Sequence, residues 1–269
     1  MDDRGPVLRT ARGGADDAVL VITLARSEAL NAIDNRLLAA LHDALDGVDE
    51  AIVADPLALR AVVLAGDGTR AFSTGMDLRE RAGFDDDALR AQRVEIVRLI
   101  TRVHELPLPV IAAVEGFALA GGFELALACD LIVASSDAVF GLPEVRVGVF
   151  PGGGGTRTLT WRVGPARARD IILTGRRLSA GEAEAWGIVA RVVPRGDALD
   201  AAVRLAAAIA EGAPVAVRQA KRAIASAHRL LREATDEEQA LYEDVLVSSD
   251  RREGFRAFAE KRAPRFEGR

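Results

Sequence analysis

The chain has 269 residues, of which 49% are hydrophobic, and a formal net charge of −5. This composition permits one large core and excludes both a disordered chain and a strongly basic nucleic-acid-binding protein. Cys129 is the only cysteine, so no internal disulfide can form, which is typical of a reducing compartment. The polar N-terminus predicts no signal peptide, and the most apolar stretch, Val110 to Ala134, is interrupted by charges and predicts no membrane span. We therefore expect a cytoplasmic protein without nucleic-acid or membrane partners.

Apolar runs alternate with amphipathic segments along the first part of the chain. Helices with one apolar face are predicted after Asp34 and from Asp86 to Leu106, where Pro107 ends the second one. A helix is also expected after the glycines that follow Pro151, and Leu178 to Ala180 lead into another. Strands are predicted at Ala18 to Leu24, Arg60 to Ala65, Pro109 to Val114, Leu131 to Ser135, Ala138 to Phe140 and Ile188 to Val193. This repetition of strand, loop and helix predicts an α/β fold with covered sheets.

The composition of the chain changes near residue 195. Beyond this point the sequence is rich in alanine, and no segment has the pattern of a β-strand. We predict an α/β core over residues 1–195 and a helical region over residues 196–269. One helix begins near Pro214, which suits a first turn, and another runs from Asp236 to Val247. The apolar stripe of the first of these helices is predicted to contain Val217, Ala220, Ile224, Ala227 and Leu231.

The stretch from Val114 to Glu144 carries the strongest signal for chemistry. An apolar strand ends in glycines, and Gly121 and Gly122 stand directly before a short apolar helix. Free backbone N–H groups and the partial positive charge at a helix start form a site for a developing oxyanion. Glu124 and Glu144 follow in apolar surroundings, where burial of an acid is costly. A single glycine usually marks a turn, and a single glutamate is usually a helix-surface residue or a member of an ion pair. A pair of acids, in contrast, can move protons to and from carbon and water.

Other polar motifs are less informative. The glycines Gly152 to Gly155 lack the Lys-Ser/Thr ending of a nucleotide loop, so they predict a helix N-terminus directed into an active site. Ser73 has no nucleophile-elbow context. Arg79 and Arg81 fit either an anion contact or a solvated surface. The histidines stand on predicted helices without triad or metal spacing; they are His42, His104 and His228.

Six ordered blocks of sequence resemble the crotonase superfamily, the enoyl-CoA hydratase/isomerase family, over about residues 18–268. They are A-L-N-A-I (from Ala29), A-F-S-T-G-M-D-L (from Ala71), P-V-I-A-A-V-E-G-F-A-L-A-G-G-F-E-L-A-L-A-C-D (from Pro109), F-G-L-P-E-V-R-V-G-V-F-P-G-G-G-G-T (from Phe140), L-T-G-R-R-L-S-A-G-E-A (from Leu173) and D-R-R-E-G-F-R-A-F-A-E-K-R (from Asp250). The resemblance implies a spiral of ββα units with a C-terminal helical trimerisation region. Trimers of the family often pair into hexamers.

The resemblance also implies a site for an acyl-CoA thioester. The backbone N–H groups of Met76 and Gly121 match the oxyanion hole, while Glu124 and Glu144 match the two acids that hold a water. Further positions match the substrate site: Ala29, Ser73, Gly75, Asp77, Leu78, Gly122, Gly152 and Gly153. No metal or redox cofactor is expected, since coenzyme A is part of the substrate. Ala120 stands where a third glycine is common, and Glu28 replaces a basic residue that faces the nucleotide end. Arg26, Arg79 and Arg265 are candidates to take its place.

Both acids are present, which favours an enoyl-CoA hydratase acting in fatty acid metabolism. An isomerase, or another family lyase acting on a specialised acyl-CoA, is the alternative within enzymes. In a non-catalytic scaffold or an RNA-binding member of the family, we would expect one or both acids to be replaced, or a strongly basic helix to be present. The basic residues between Val217 and Arg232 instead read as a solvated face.

Overall fold

The computed structural model describes residues 5–14, 17–226, 243 and 246–265, and its two β-sheets flanked by helices confirm the α/β prediction. The strands are β1 (Leu8–Gly13), β2 (Val19–Leu24), β3 (Ala61–Gly66), β4 (Ala71–Ser73), β5 (Val110–Val114), β6 (Phe117–Leu119), β7 (Leu131–Ser135), β8 (Val139–Gly141), β9 (Arg177–Ser179) and β10 (Arg191–Val193). The helices are α1 (Asn35–Ala54), α2 (Leu78–Arg81), α3 (Asp86–Glu105), α4 (Gly121–Ala128), α5 (Gly155–Thr174), α6 (Ala180–Ala185), α7 (Ala198–Ala210), α8 (Pro214–Ser226) and α9 (Ser249–Ala259). Short 3-10 helices span Ser27–Ala29 and Glu144–Val147.

The two sheets are built by a chain that winds as a spiral. One sheet has the strand order β1-β2-β3-β5-β7-β10 and is parallel except for the β1–β2 pair. The other has the order β4-β6-β8-β9 and is parallel except for β8–β9. The consecutive pairs β3–β4, β5–β6 and β7–β8 each place one strand in each sheet before a helix follows. This is the repeated ββα unit.

The principal core lies between the sheets and helices α1 and α3 to α6. Asp34 begins α1 by accepting a 2.8 Å hydrogen bond from the backbone N–H of Leu37, as a helix-capping aspartate does. The predicted apolar face of α1 is buried at Leu37, Leu41, Leu45 and Val48. Burial of such a stripe, more than helix propensity, stabilises a helix of this kind.

The outer face of the six-stranded sheet is covered by α7. Ala201, Ala202 and Leu205 of this helix pack on apolar side chains of β2, β3, β5 and β7. The first helix after residue 195 is thus packed directly on the sheet. Within the described residues, no helix is both long and apolar enough to cross a membrane.

The described structure differs from the predicted elements at several short strands. The predicted strand Ile188 to Val193 begins only at Arg191, because the N–H groups of Ile188 and Val189 bond to Ala183 O at the end of α6. Leu178 lies in β9, and Ser179 then caps α6 with Glu182 in a capping box. Strands β1, β4 and β6 were not predicted. Ala227, Leu231, His228 and most of the helix predicted from Asp236 to Val247 lie outside the described residues.

Candidate active site

The turn from Gly75 to Asp77 presents one unused backbone donor to a cleft. The backbone of Ile33 holds both sides of the turn, since its N–H donates to Gly75 O (2.8 Å) and its carbonyl accepts from Asp77 N (2.9 Å). The intervening N–H of Met76 donates to no acceptor among the described residues. Gly75 has φ +88°, and a Cβ atom there would lie 2.8 Å from the backbone N of Gly121. Only glycine permits this backbone conformation and this approach.

Buried polar side chains support the turn from behind. The amide of Asn31 donates to Asp67 O (3.1 Å) and Ala71 O (2.7 Å), which fixes the A-L-N-A-I block against β4. The Ser73 hydroxyl donates to Asn31 O (2.8 Å) and accepts from Gly75 N (3.2 Å). These bonds satisfy a fully buried Ser73 and define the position of the turn.

A second unused donor comes from the start of α4. The Gly121 N–H donates to no acceptor within the described part of the chain. A Cβ atom built on Gly121 would lie 3.7 Å from the Met76 nitrogen, so the two loops meet at this point. Ala120 precedes it with φ 49° and ψ −131°, a conformation that non-glycine residues rarely adopt. Two backbone donors on adjoining loops, one at a helix start, can stabilise negative charge on an oxygen.

The start of the next helix donates two hydrogen bonds to Glu124. Its Oε1 atom accepts hydrogen bonds from Gly153 N (2.9 Å) and Gly155 N (2.8 Å) at the start of α5. Donation from two N–H groups and the positive end of a helix favour the charged carboxylate. A Cβ atom at Gly153 would lie 2.8 Å from Glu124 Oε2, and one at Gly155 would lie 2.9 Å from Oε1. The glycine loop is therefore shaped around this carboxylate.

Glu144 has the opposite environment. It is buried at the start of the second 3-10 helix, and neither carboxyl oxygen has a hydrogen-bond partner within the described structure. Burial raises the pKa of Glu144 well above its ordinary value, and the neighbouring charge of Glu124 raises it further. The charge of Glu124 thus acts on Glu144, and burial favours the protonated form of Glu144.

Helix α9 supports the 3-10 helix that carries Glu144. A Cβ atom on Gly254 would lie 2.3 Å from Val147 O, and one on Gly148 would lie 2.6 Å from Asp250 O. The two backbones therefore approach each other at glycines, and any side chain there would separate them. Phe255 and Phe258 of the same helix line the cleft.

A cleft of about 840 Å³ collects most of the predicted site residues. Its lining includes Ala29, Met76, Asp77, Leu78, Gly121, Glu124, Glu144, Gly152 and Gly153. The Asp77 carboxylate is engaged within the wall, because it caps α2 through Arg79 N (3.0 Å) and pairs with Arg26 (3.0 Å).

Three predicted substrate contacts do not line the cleft. Ser73 lies behind the turn, and Gly75 is the residue of the turn that donates to the Ser73 hydroxyl. Gly122 faces β4, where a Cβ atom would lie 2.3 Å from Ser73 O. These three residues let α4 and the turn approach each other, and their direct contact with a substrate stays a prediction.

The structure adds cleft residues that the sequence did not single out. Arg93 is buried in the lining although it stands on the predicted apolar face of α3, between Leu89 and Ile96. A charged residue at an apolar position of the helix was the available signal. The two phenylalanines of α9, Phe255 and Phe258, gave no local signal, because their place in the cleft depends on contacts distant in the chain.

The other arginines of the cleft lie nearer to solvent. Arg26 pairs with Asp77 and also with Asp34 (3.3 Å), so its charge is neutralised within the wall. Four lining arginines are exposed: Arg70, Arg79, Arg146 and Arg177. Arg265 does not line the cleft. Among the described residues, no group of histidine, cysteine and acidic side chains has the arrangement of a metal site.

Comparison with known proteins identifies a family and several relatives of this chain. The enoyl-CoA hydratase/isomerase family model matches residues 14–269. A probable enoyl-CoA hydratase of Mycobacterium bovis, echA8, is 40% identical over 93% of this chain and 95% of its own length. An enoyl-CoA isomerase/hydratase of Zymoseptoria tritici is 38% identical over 93% of this chain and 84% of its own.

A solved structure has the same fold. The crystal structure of an enoyl-CoA hydratase from Bacillus anthracis covers 98% of this chain and 100% of its own, with 36% identity and a TM-score of 0.79. The chain belongs to the enoyl-CoA hydratase/isomerase family of the crotonase superfamily.

Proposed function

We propose that this chain is an enoyl-CoA hydratase that catalyses the reversible addition of water to a 2-enoyl-CoA thioester. The observation that carries the proposal is the pair of buried acids in one cleft beside two unused backbone donors. Glu124 accepts two hydrogen bonds, whereas Glu144 has no bonded partner in the described structure and a raised pKa. Two acids whose environments differ in this way can act as base and acid at the same time.

The reaction follows from these positions. The thioester oxygen lies against the N–H groups of Met76 and Gly121. The Glu124 carboxylate accepts a proton from water as the water oxygen bonds to Cβ of the substrate. The electrons of the double bond move towards the thioester oxygen, and protonated Glu144 delivers its proton to Cα. Each turnover consumes one water and one enoyl thioester. A proton transfer from Glu124 to Glu144 then restores the protonation states in which both acids began.

The fixed donors contribute to the rate because they need no reorganisation as charge develops. Both acids lie in one cleft, so hydroxyl and proton are delivered to the same face of the double bond, which gives syn addition. The exposed arginines Arg70, Arg79 and Arg177 are suited to the phosphates of coenzyme A. The proposal involves no metal or redox cofactor, and we expect chelators to leave turnover unchanged.

The assembly proposed for this enzyme is a homotrimer or a dimer of trimers in the cytoplasm. Large apolar side chains are exposed on α5 and α8, including Trp161, Leu173, Val215 and Ile224. Exposed apolar surface of this kind favours association between copies. Light scattering should give a mass near three or six chains, and a monomeric mass at micromolar concentration would refute the assembly.

The test of the catalytic pair uses Glu124→Gln, Glu144→Gln and the double variant. In Glu124→Gln the amide oxygen can still accept from Gly153 and Gly155, since both bonds end on one oxygen. We expect each single variant to bind acyl-CoA and to lose about a hundredfold or more in hydration rate. The losses should not add, because both acids act on one water. Near-normal hydration by either variant would refute the mechanism.

Isomerisation is the second candidate, and the name of the Zymoseptoria tritici relative favours it. An isomerase moves a proton between two carbons, which one carboxylate can do alone. Conversion of a 3-enoyl-CoA that survives Glu124→Gln but not Glu144→Gln would support isomerisation. Loss of the conjugated thioester absorbance of a short 2-enoyl-CoA would support hydration.

A further inference from the structure

One buried cation distinguishes the inner part of the cleft. Of the described arginines that line the cleft, Arg93 alone is buried, with 8% of its surface exposed. Burial of a charged side chain is costly, so such a group is expected to serve either an ion pair of the fold or the recognition of a ligand. The two roles predict different experimental results.

Helix α3 shows where Arg93 lies relative to the reacting carbons. Ile100 Cδ1 and Glu124 Oε2 both border Gly153, at 2.5 Å and 2.8 Å from the position of an added Cβ atom. Ile100 therefore marks the catalytic end of the helix. Ile96 and Arg93 follow on the same face at helical spacing, and Arg93 is about 10 Å along the axis from Ile100.

The cleft wall contributed by this part of the fold includes apolar side chains. Leu89, one turn before Arg93, packs in a cluster with Val149, and Phe150 and Phe255 pack against that cluster. Val149, Phe150 and Phe255 also line the cleft. The exposed arginines of the cleft suit the nucleotide end of the substrate, and the buried Arg93 is distinct from them.

We propose that Arg93 is a specificity-determining residue that selects 2-enoyl-CoA thioesters whose acyl chain ends in a carboxylate. This inference rests on the proposed hydratase function and names its substrate class. A guanidinium binds a carboxylate through two parallel hydrogen bonds, and the apolar walls strengthen that charged contact. The separation along α3 requires several carbons between the double bond and the distal carboxylate.

The test compares 2-alkenoyl-CoA thioesters of six to ten carbons that end in either a methyl group or a carboxylate. The measured quantity is the ratio of kcat/KM for the carboxylate form to kcat/KM for the methyl form. We expect the wild type to favour the carboxylate at least tenfold at its best length, consistent with a charged hydrogen bond. Arg93→Met should remove at least tenfold from this ratio, and Arg93→Lys should retain part of it.

Arg98→Met is the matched control, because Arg98 lies on the same helix with a side chain that is 64% exposed and outside the cleft. Its ratio should equal that of the wild type. A wild type without preference overturns the inference whether or not the variants fold. A preference that survives Arg93→Met, with only stability reduced, also overturns it and assigns Arg93 to the fold. Turnover of crotonyl-CoA by the wild type tests the hydratase function separately.

Discussion

Glu144→Gln should cost activity and increase stability at neutral pH. In the folded chain the Glu144 carboxyl is buried and has no hydrogen-bond partner within the described structure, while the Glu124 charge lies nearby. An ionised carboxylate in this position is destabilising, because it has lost its water and faces a like charge. Glutamine has almost the same size and carries no charge at any pH.

The sign and magnitude follow from proton linkage. The pKa of Glu144 is higher in the folded protein than in the unfolded chain. Between the two pKa values the folded state therefore binds more protons, and wild-type stability falls as pH rises through that range. Each unit of pKa difference corresponds to about 1.4 kcal/mol. We expect Glu144→Gln to be more stable than the wild type by about 1 kcal/mol or more at pH 8.

The assay is thermal or urea unfolding of both proteins from pH 5 to pH 8. At pH 5 the stabilities should be similar, and the difference should grow with pH to a few degrees in Tm for a chain of this size. Glu50→Gln is the control, because Glu50 is exposed on α1 and should change stability little at either pH. The assignment of Glu144 as a desolvated acid would be refuted if Glu144→Gln were less stable than the wild type at pH 8. It would also be refuted if the difference in stability between the two proteins were the same at pH 5 and pH 8.

Two further substitutions test the loops around the site. Gly153→Ala should lower the hydration rate far more than the stability, because the added Cβ would displace Glu124 Oε2. In the control Gly181→Ala in α6, the added Cβ meets no atom within 4 Å, and we expect a gain of about 0.5–1 kcal/mol in urea unfolding. Full activity in Gly153→Ala would contradict this reasoning. Ala120→Gly should gain about 1 kcal/mol, because relief of a strained conformation outweighs the extra freedom of glycine in the unfolded chain. A loss of stability in that variant would show that Ala120 is not strained.

The sequence alone determined the features that depend on local pattern. The apolar stripes of α1 and α3, the Asp34 cap and the buried strands β2, β3, β5 and β7 all follow from periodicity and capping chemistry. The family also followed from the sequence, because its blocks lie in the right order, and it was confirmed by the comparisons. Both acids and both oxyanion-hole positions were predicted, and their catalytic roles stay a proposal.

Tertiary structure alone decided what depends on contacts between distant segments. The three-residue strands β4 and β6 are too short to show a period, and they form because they pair with each other. Ser73 and Gly122 support the site from behind rather than lining it, which only the approach of α4 to β4 reveals. Glu124 and Glu144 stand in similar apolar stretches of sequence. Their environments differ because one carboxylate meets the start of α5, whereas the other has no hydrogen-bond donor within the described structure.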